Sequence, residues 1–157
     1  MKLLLVAVGH RMPAWVNAGF QEYARRMPPE AQLKIAEVRP EPRSAATRGA
    51  RDVERLIEAE GRRIDSAIPQ NTLKVVLDER GVAWSTAELA RRLAAWRMES
   101  EDVAFIVGGA DGLHDTVRRR AHFLWSLSSL TLPHGLVRVI VAEQLYRAHA
   151  ILKNHPY

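Results

Sequence analysis

Three stretches of this 157-residue chain break abruptly from an apolar run into polar, small or hydroxyl-bearing residues. VVLD ends its run at Leu77 and Asp78, and VAFIVGGADG opens into the glycine pair Gly108 and Gly109. HFLWSLSSLTLPH passes through Ser126, Ser128, Ser129 and Thr131 to Pro133 and His134. Glycine allows bare backbone to approach a ligand closely, and hydroxyls offer hydrogen bonds to a ligand or to nearby backbone. Three such strand-to-loop transitions can converge on one edge, where parallel sheets bind small molecules at the carboxyl ends of their strands. The turn GGADG matches neither G-x-G-x-x-G nor G-x-x-x-x-G-K-[ST]. A dinucleotide-binding or P-loop reading therefore has no motif behind it.

Other chemistries find less support. The histidines are His10, His114, His122, His134, His149 and His155, and none stands at a standard zinc spacing from another ligand, so no metal site is expected. There is no cysteine, which excludes disulfides, thiolate ligands and a cysteine nucleophile and fits a reducing cytoplasm. No G-x-S-x-G elbow is present. His134, after Pro133, reads as cap or site material, although a lone histidine is more often structural. Glu143 and Arg147 stand at i,i+4 and can pair with each other; Arg138 and Arg147 can alternatively face an RNA phosphate.

The elements that must position these residues follow from periodicity. Hydrophobic residues make up 47% and charged residues 26%, the balance of a single globular domain with a full core. No apolar run is long enough to cross a bilayer. The opening MKLLLVAVGH is too short for a signal peptide and reads as a first buried strand, Leu3 to Val8. A helix is expected over Met12–Arg26, a strand over Leu33–Val38 and a helix over Arg51–Ile68. Strands are expected over Leu73–Leu77, Val103–Val107 and His122–Leu127, with a turn at ERGVAW. Ser85 and Glu88 have capping-box spacing and open a helix to about Met98. A short helix is expected within Gly112–Ala121, and a last helix over Leu136–Leu152. Strands alternating with helices give a parallel α/β sheet covered on both faces.

Charge and loops bear on partners. The net charge is +5 and the isoelectric point about 10.1, which favours a polyanion such as RNA or DNA. The segment Arg39–Ala50, with Arg39, Arg43 and Arg48, is either a phosphate-gripping arm or a solvated connector. The connection carrying Leu127, Leu130 and Leu132 is apolar, so it must be buried, face a ligand or meet another subunit. The last helix is apolar on most faces, with a polar side limited to Arg138, Glu143, Gln144 and Arg147. It is either central in the core or shared with a second copy, and its place at the end of the chain favours a dimer interface.

SLSSLTLPHGLVRVIVAEQLYRAHAILKNHPY closely resembles the C-terminal signature of the ribosomal RNA large-subunit methyltransferase H family. KLLLVAVGHRMPAWVNAGFQEYARR, VVLDERGVAWST and VGGADGL are similar to it too, so the resemblance covers nearly the whole chain. It departs from the pattern at Gly135, where some members carry proline, and after Tyr157, where some carry further polar residues. The resemblance implies a single SPOUT-like domain over residues 1–157: a parallel-sheet α/β/α sandwich with a C-terminal trefoil knot, forming a homodimer. It also implies S-adenosylmethionine as cofactor and, as reaction, methylation of N3 of a pseudouridine in 23S rRNA, expected on the assembled ribosome. The cofactor positions it implies are Leu77, Gly108, Leu127, Ser128, Ser129, Leu130, Thr131 and Leu132. Its catalytic candidates are His134 or His155 as base, Arg138 or Arg147 as stabiliser of the anion, and Tyr157 as a hydrogen-bonding or stacking contact. Alternatives are a SPOUT methyltransferase acting on another RNA position, such as a tRNA ribose, and a non-catalytic RNA-binding assembly factor. A nicotinamide dehydrogenase ranks last for want of its fingerprint.

Overall fold

The computed structural model describes residues 1–44 and 49–157, so Arg48 of the basic segment lies outside the described residues. The strands are β1 (Leu3–Val8), β2 (Leu33–Val38), β3 (Thr72–Ala83), β4 (Asp102–Val107) and β5 (Phe123–Ser126). The helices are α1 (Ala14–Ala24), α2 (Ala50–Ala67), α3 (Thr86–Met98), α4 (Asp115–Arg119) and α5 (His134–Leu152). They form one five-stranded sheet in the order β2-β1-β4-β3-β5, parallel throughout.

Alternation along β1 builds the layers. Leu3, Leu5 and Ala7 point to one face, where they pack with Phe20 of α1, Leu89 and Leu93 of α3, and Val141 and Leu145 of α5. Val6 and Val8 point to the other face, against Ile64 of α2 and Val117 of α4. Both faces are covered, which is why the central strands read as continuous apolar runs. The capping box forms as expected: Glu88 N–H donates to Ser85 Oγ at 3.1 Å, and Ser85 N–H donates to Glu88 Oε2 at 2.6 Å. No helix of the described residues is long and apolar enough to cross a membrane.

Several element boundaries differ from the sequence expectation; α1, for example, spans Ala14–Ala24 rather than Met12–Arg26. β3 does not end at Leu77 but runs to Ala83, because its pairing with β5 jumps from Leu77↔Trp125 to Val82↔Trp125. Residues 78–81 are extruded as a wide bulge, and the expected ERGVAW turn is that bulge. α5 begins at His134 rather than Leu136, since Pro133 takes the cap position with extended backbone. β5 is shorter than expected at both ends. α5 is central in the protomer, packed between α1 and α3. Arg138, expected on its polar side, is instead 1% exposed.

Gly81 closes the bulge. A Cβ there would lie 2.6–2.8 Å from the backbone of Leu124 and Trp125. Backbone cannot swing aside as a side chain can, so we expect Gly81→Ala to cost about 1–3 kcal/mol, read from the denaturation midpoint. An unchanged midpoint would show that the bulge does not depend on this contact.

Candidate active site

The bulge of β3, the glycine turn after β4 and the segment from β5 to α5 enclose a cavity of about 560 Å³ at the carboxyl edge of the sheet. Leu77, Gly108, Leu127, Ser128, Leu130, Thr131, Leu132 and His134 all line it. Ser129 is not among its lining residues. The glycine turn is tight for a reason: a Cβ on Gly108 would lie 2.9 Å from Leu113 Cγ and 3.0 Å from the Gly112 carbonyl carbon. Ser126 Oγ donates to Ser128 O at 3.0 Å, and Leu130 N–H donates to Ser128 Oγ at 2.9 Å, so these hydroxyls shape the loop. Trp125 also lines the cavity; its indole N–H is buried without a partner, and its ring stacks on Trp84 at 5.3 Å.

Charge enters the wall through residues that periodicity did not single out. Arg118 of α4 donates to Asp78 of the bulge at 2.5 Å and to the Leu113 carbonyl at 2.9 Å. Burial pushes the Asp78 carboxyl up. The Arg80 backbone N–H and the Arg118 guanidinium outweigh that and hold it below its ordinary value of 3.8. Thr131 Oγ1 donates to Glu79 Oε2 at 3.2 Å, joining the bulge to the β5–α5 segment. The signals were present as VLD and the run Arg118, Arg119, Arg120, but the pairing across forty residues is tertiary.

The catalytic candidates do not meet in one chain. His134 lines the cavity at the start of α5, whereas Arg147 lies thirteen residues on, about 20 Å along the helix axis. There Glu143 gathers three donors: Arg147 Nε at 2.8 Å, Tyr157 Oη at 2.7 Å and Gln144 Nε2 at 2.7 Å. Burial raises the Glu143 carboxyl, but these donors outweigh it and leave it below the ordinary value. Partial burial and the bond to Glu143 push the Tyr157 phenol up to about 12, so it stays a donor at neutral pH. Arg147 stacks over the Tyr157 ring at 4.1 Å. His155, in the same tail, is exposed. Arg138 lies behind the cavity, donating to Glu37 Oε2 at 2.9 Å and to the Gly9 carbonyl at 3.2 Å.

The basic segments are mostly neutralised. Arg43 pairs with the buried Glu60 at 2.6 Å and with Asp111 of the glycine turn at 2.8 Å, which corrects the reading of Arg43 as a free phosphate arm. Arg120 pairs with Asp65 at 2.5 Å.

The parallel sheet with a ligand-sized cavity at its carboxyl edge has the fold of the SPOUT methylases. The whole chain, residues 1–157, matches the family described as "Predicted SPOUT methyltransferase". A structure titled a probable methylase family protein, from Haemophilus influenzae Rd KW20, superposes with a TM-score of 0.56 at 14% identity, covering 98% of this chain and 67% of its own. A probable methyltransferase from Bordetella pertussis Tohama I gives 0.54 at 17% identity, covering 93% and 95%. Proteins named ribosomal RNA large subunit methyltransferase H from Burkholderia mallei (strain SAVP1) and Burkholderia pseudomallei (strain K96243) are 54% identical over 157 residues, covering 100% of this chain and 98% of each relative. The chain belongs to the ribosomal RNA large-subunit methyltransferase H family.

Two outcomes follow from these pairs. Arg138→Ala removes a buried cation and leaves the Gly9 carbonyl without its donor, at a cost of about 2–4 kcal/mol. Thermal unfolding checks this; an unchanged melting temperature would make the Arg138 pair ornamental. Because the folded-state value of Asp78 is depressed, its contribution is present above about pH 4 and lost as pH falls through the folded value. Asp78→Asn is therefore expected to be less stable than wild type by about 2 kcal/mol at pH 7, with the gap narrowing as pH falls through the lowered Asp78 value. A gap independent of pH would sink that assignment.

Proposed function

We propose that this chain is an S-adenosylmethionine-dependent methyltransferase that methylates N3 of a pseudouridine in 23S rRNA, on the assembled ribosome and as a homodimer. The observation that carries the reading is the convergence of Leu77, Gly108 and the Leu127–Leu132 segment on one cavity, with His134 at its wall. The match to 23S rRNA enzymes rests on the 54% identical relatives named for the ribosomal large subunit. Residues 1–157 act as one catalytic domain, and the C-terminal trefoil knot of the class belongs to the same proposal.

The cavity fits the cofactor. Leu77, Val107, Leu113, Leu127 and Leu132 offer apolar cover for a flat heterocycle, while the backbone at Gly108 and around Ser128 is exposed to it. The Trp125 indole N–H in this wall is buried without a partner, which is consistent with polar capacity left for a ligand. S-adenosylmethionine supplies, when bound, a methyl group already activated on a cationic sulfur. The protein's tasks are then alignment, exclusion of water and management of one proton. N3 of pseudouridine is an imide nitrogen that must be deprotonated before it attacks. His134 is the candidate base, at the first turn of α5, where the helix N-terminus favours the developing negative charge. Arg138 acts by position, holding α5 and the turn after β1. The tail residues Arg147, His155 and Tyr157 lie too far from their own cavity, so a partner copy's tail completes the site. There Tyr157, held protonated, serves as a donor or stacking surface, and Arg147 as the cation beside the imidate once Glu143 releases it.

The test is transfer from labelled S-adenosylmethionine to free 23S rRNA, isolated large subunits and whole ribosomes from a strain lacking this protein, with the product nucleoside identified. The expected product is N3-methylpseudouridine on whole ribosomes. Cofactor binding without transfer to any of the three would move the target to another RNA, and no cofactor binding at all would leave only an assembly factor.

A further inference from the structure

The carboxyl edge of the sheet continues past the cavity onto β1 and β2, where it carries two arginines the cavity does not use. Arg11 lies in the turn after β1, and Arg39 directly follows β2. Both are exposed. Among the described residues neither guanidinium has a carboxylate partner, whereas Arg43, Arg63, Arg118, Arg120, Arg138 and Arg147 are all ion-paired.

The backbone segments that carry them are adjacent. Val8 stands opposite Val38 in the parallel pairing, and Gly9 N–H donates to the Val38 carbonyl at 2.8 Å. Arg39 therefore lies level with the start of the β1 turn, one strand spacing of about 4.8 Å away. Arg63 donates to the Arg39 carbonyl at 2.9 Å and fixes its backbone from α2. Arg138 fixes the neighbouring turn through the Gly9 carbonyl. Arg11 itself has φ 54°, the left-handed region that a long L side chain occupies only at a cost. Strain kept at an exposed cation, beside a turn held by the half-buried Arg138–Glu37 pair, is consistent with a residue held for a ligand rather than for the core. The cavity is one strand away: a Cβ on Gly109 of its glycine turn would lie 3.1 Å from Val8 Cγ1.

We propose that Arg11 and Arg39 form a phosphate-binding edge that grips the RNA backbone beside the nucleotide presented to the cavity. The ligand class is the phosphodiester group, which a guanidinium meets with two parallel hydrogen bonds. This edge rests on the RNA reading above, and it names the contact that brings the substrate to the site. It uses the only one of the basic segment's described arginines that no carboxylate neutralises, and it adds the strained turn after β1.

The experiment uses polyuridylate as a sequence-independent RNA probe and unmodified ribosomes as substrate. The variants are Arg11→Gln, Arg39→Gln and their double, with Arg91→Gln on the exposed face of α3 as a control for the loss of one surface charge. The double variant is expected to bind polyuridylate about tenfold more weakly, with the salt slope of log affinity reduced by about 1.4. Arg91→Gln stays within about twofold of wild type in the same titration, and calorimetric S-adenosylmethionine affinity stays equal to wild type in all. Arg11→Gly separates binding from folding: φ 54° suits glycine, so the variant melts at or above wild type and still loses RNA affinity. Unchanged polyuridylate affinity in the double variant would overturn the proposal. So would a raised ribosome KM with polyuridylate binding intact, because the edge would then meet an acidic protein surface. Polyuridylate binding is read without methyl transfer, so a failure of the methylation reading is distinguishable from a failure of this edge.

Discussion

The buried guanidinium of Arg138 ties the last helix to the carboxyl ends of the first two strands, and the functional edge depends on that tie. An arginine removed from water is tolerable only with its charge compensated, and here that compensation outweighs an Nε–H left buried without a partner. Glu37, on the open edge strand β2, supplies the charge from outside, and the Gly9 carbonyl accepts a second bond from inside. The helix cannot shift along its axis without breaking both. One turn earlier on the same helix stands His134, at the cavity wall. One residue beyond the held carbonyl begins the turn that presents His10 and Arg11. A single ion pair thus sets the height of the cavity wall and the shape of the neighbouring turn together.

The cavity owes its other two walls to backbone packed closer than side chains permit. Gly81 lets the extruded bulge return against β5, and Gly108 lets the next turn fold back on Leu113. The bulge carries Asp78 and Glu79, which reach across to Arg118 and Thr131. Several polar atoms of the wall are thereby paired with one another, and much of the remaining lining is apolar side chain and backbone. Such a wall suits a ligand recognised by shape and by a few backbone contacts, as a flat heterocycle with a polar tail is.

Electrostatics divides the surface in the same way. A net charge of +5 implies a cationic protein, yet most of the arginines described above face carboxylates, and those pairs order loops rather than attract a partner. Arg43 shows this most clearly: bound at once to Glu60 and Asp111, it staples the segment after β2 to the glycine turn. At the other end of α5, Glu143, Arg147 and Tyr157 form a closed cluster far from their own cavity.

The sequence by itself determined the elements, their order and the transitions that matter. Continuous apolar runs at Leu3–Val8 and Val103–Val107 dictate buried parallel strands, because only a sheet covered on both faces hides every side chain. The Ser85–Glu88 spacing marks a helix start through local bonding alone, and the stretches after Leu77, Val107 and Ser126 announce the transitions that line the cavity. What it could not decide were interactions between residues far apart in the chain. The extension of β3 past Asp78 depends on pairing with β5, and a pattern read along one strand contains no partner. The burial of Arg138 was illegible for the same reason: by type it belongs on a polar face, and only Glu37, 101 residues away, makes its interior place affordable. Which arginines are neutralised and which stay free is likewise settled by where the folded chain brings the carboxylates. Local patterning fixes what each segment becomes, and long-range pairing fixes which polar groups remain free to act.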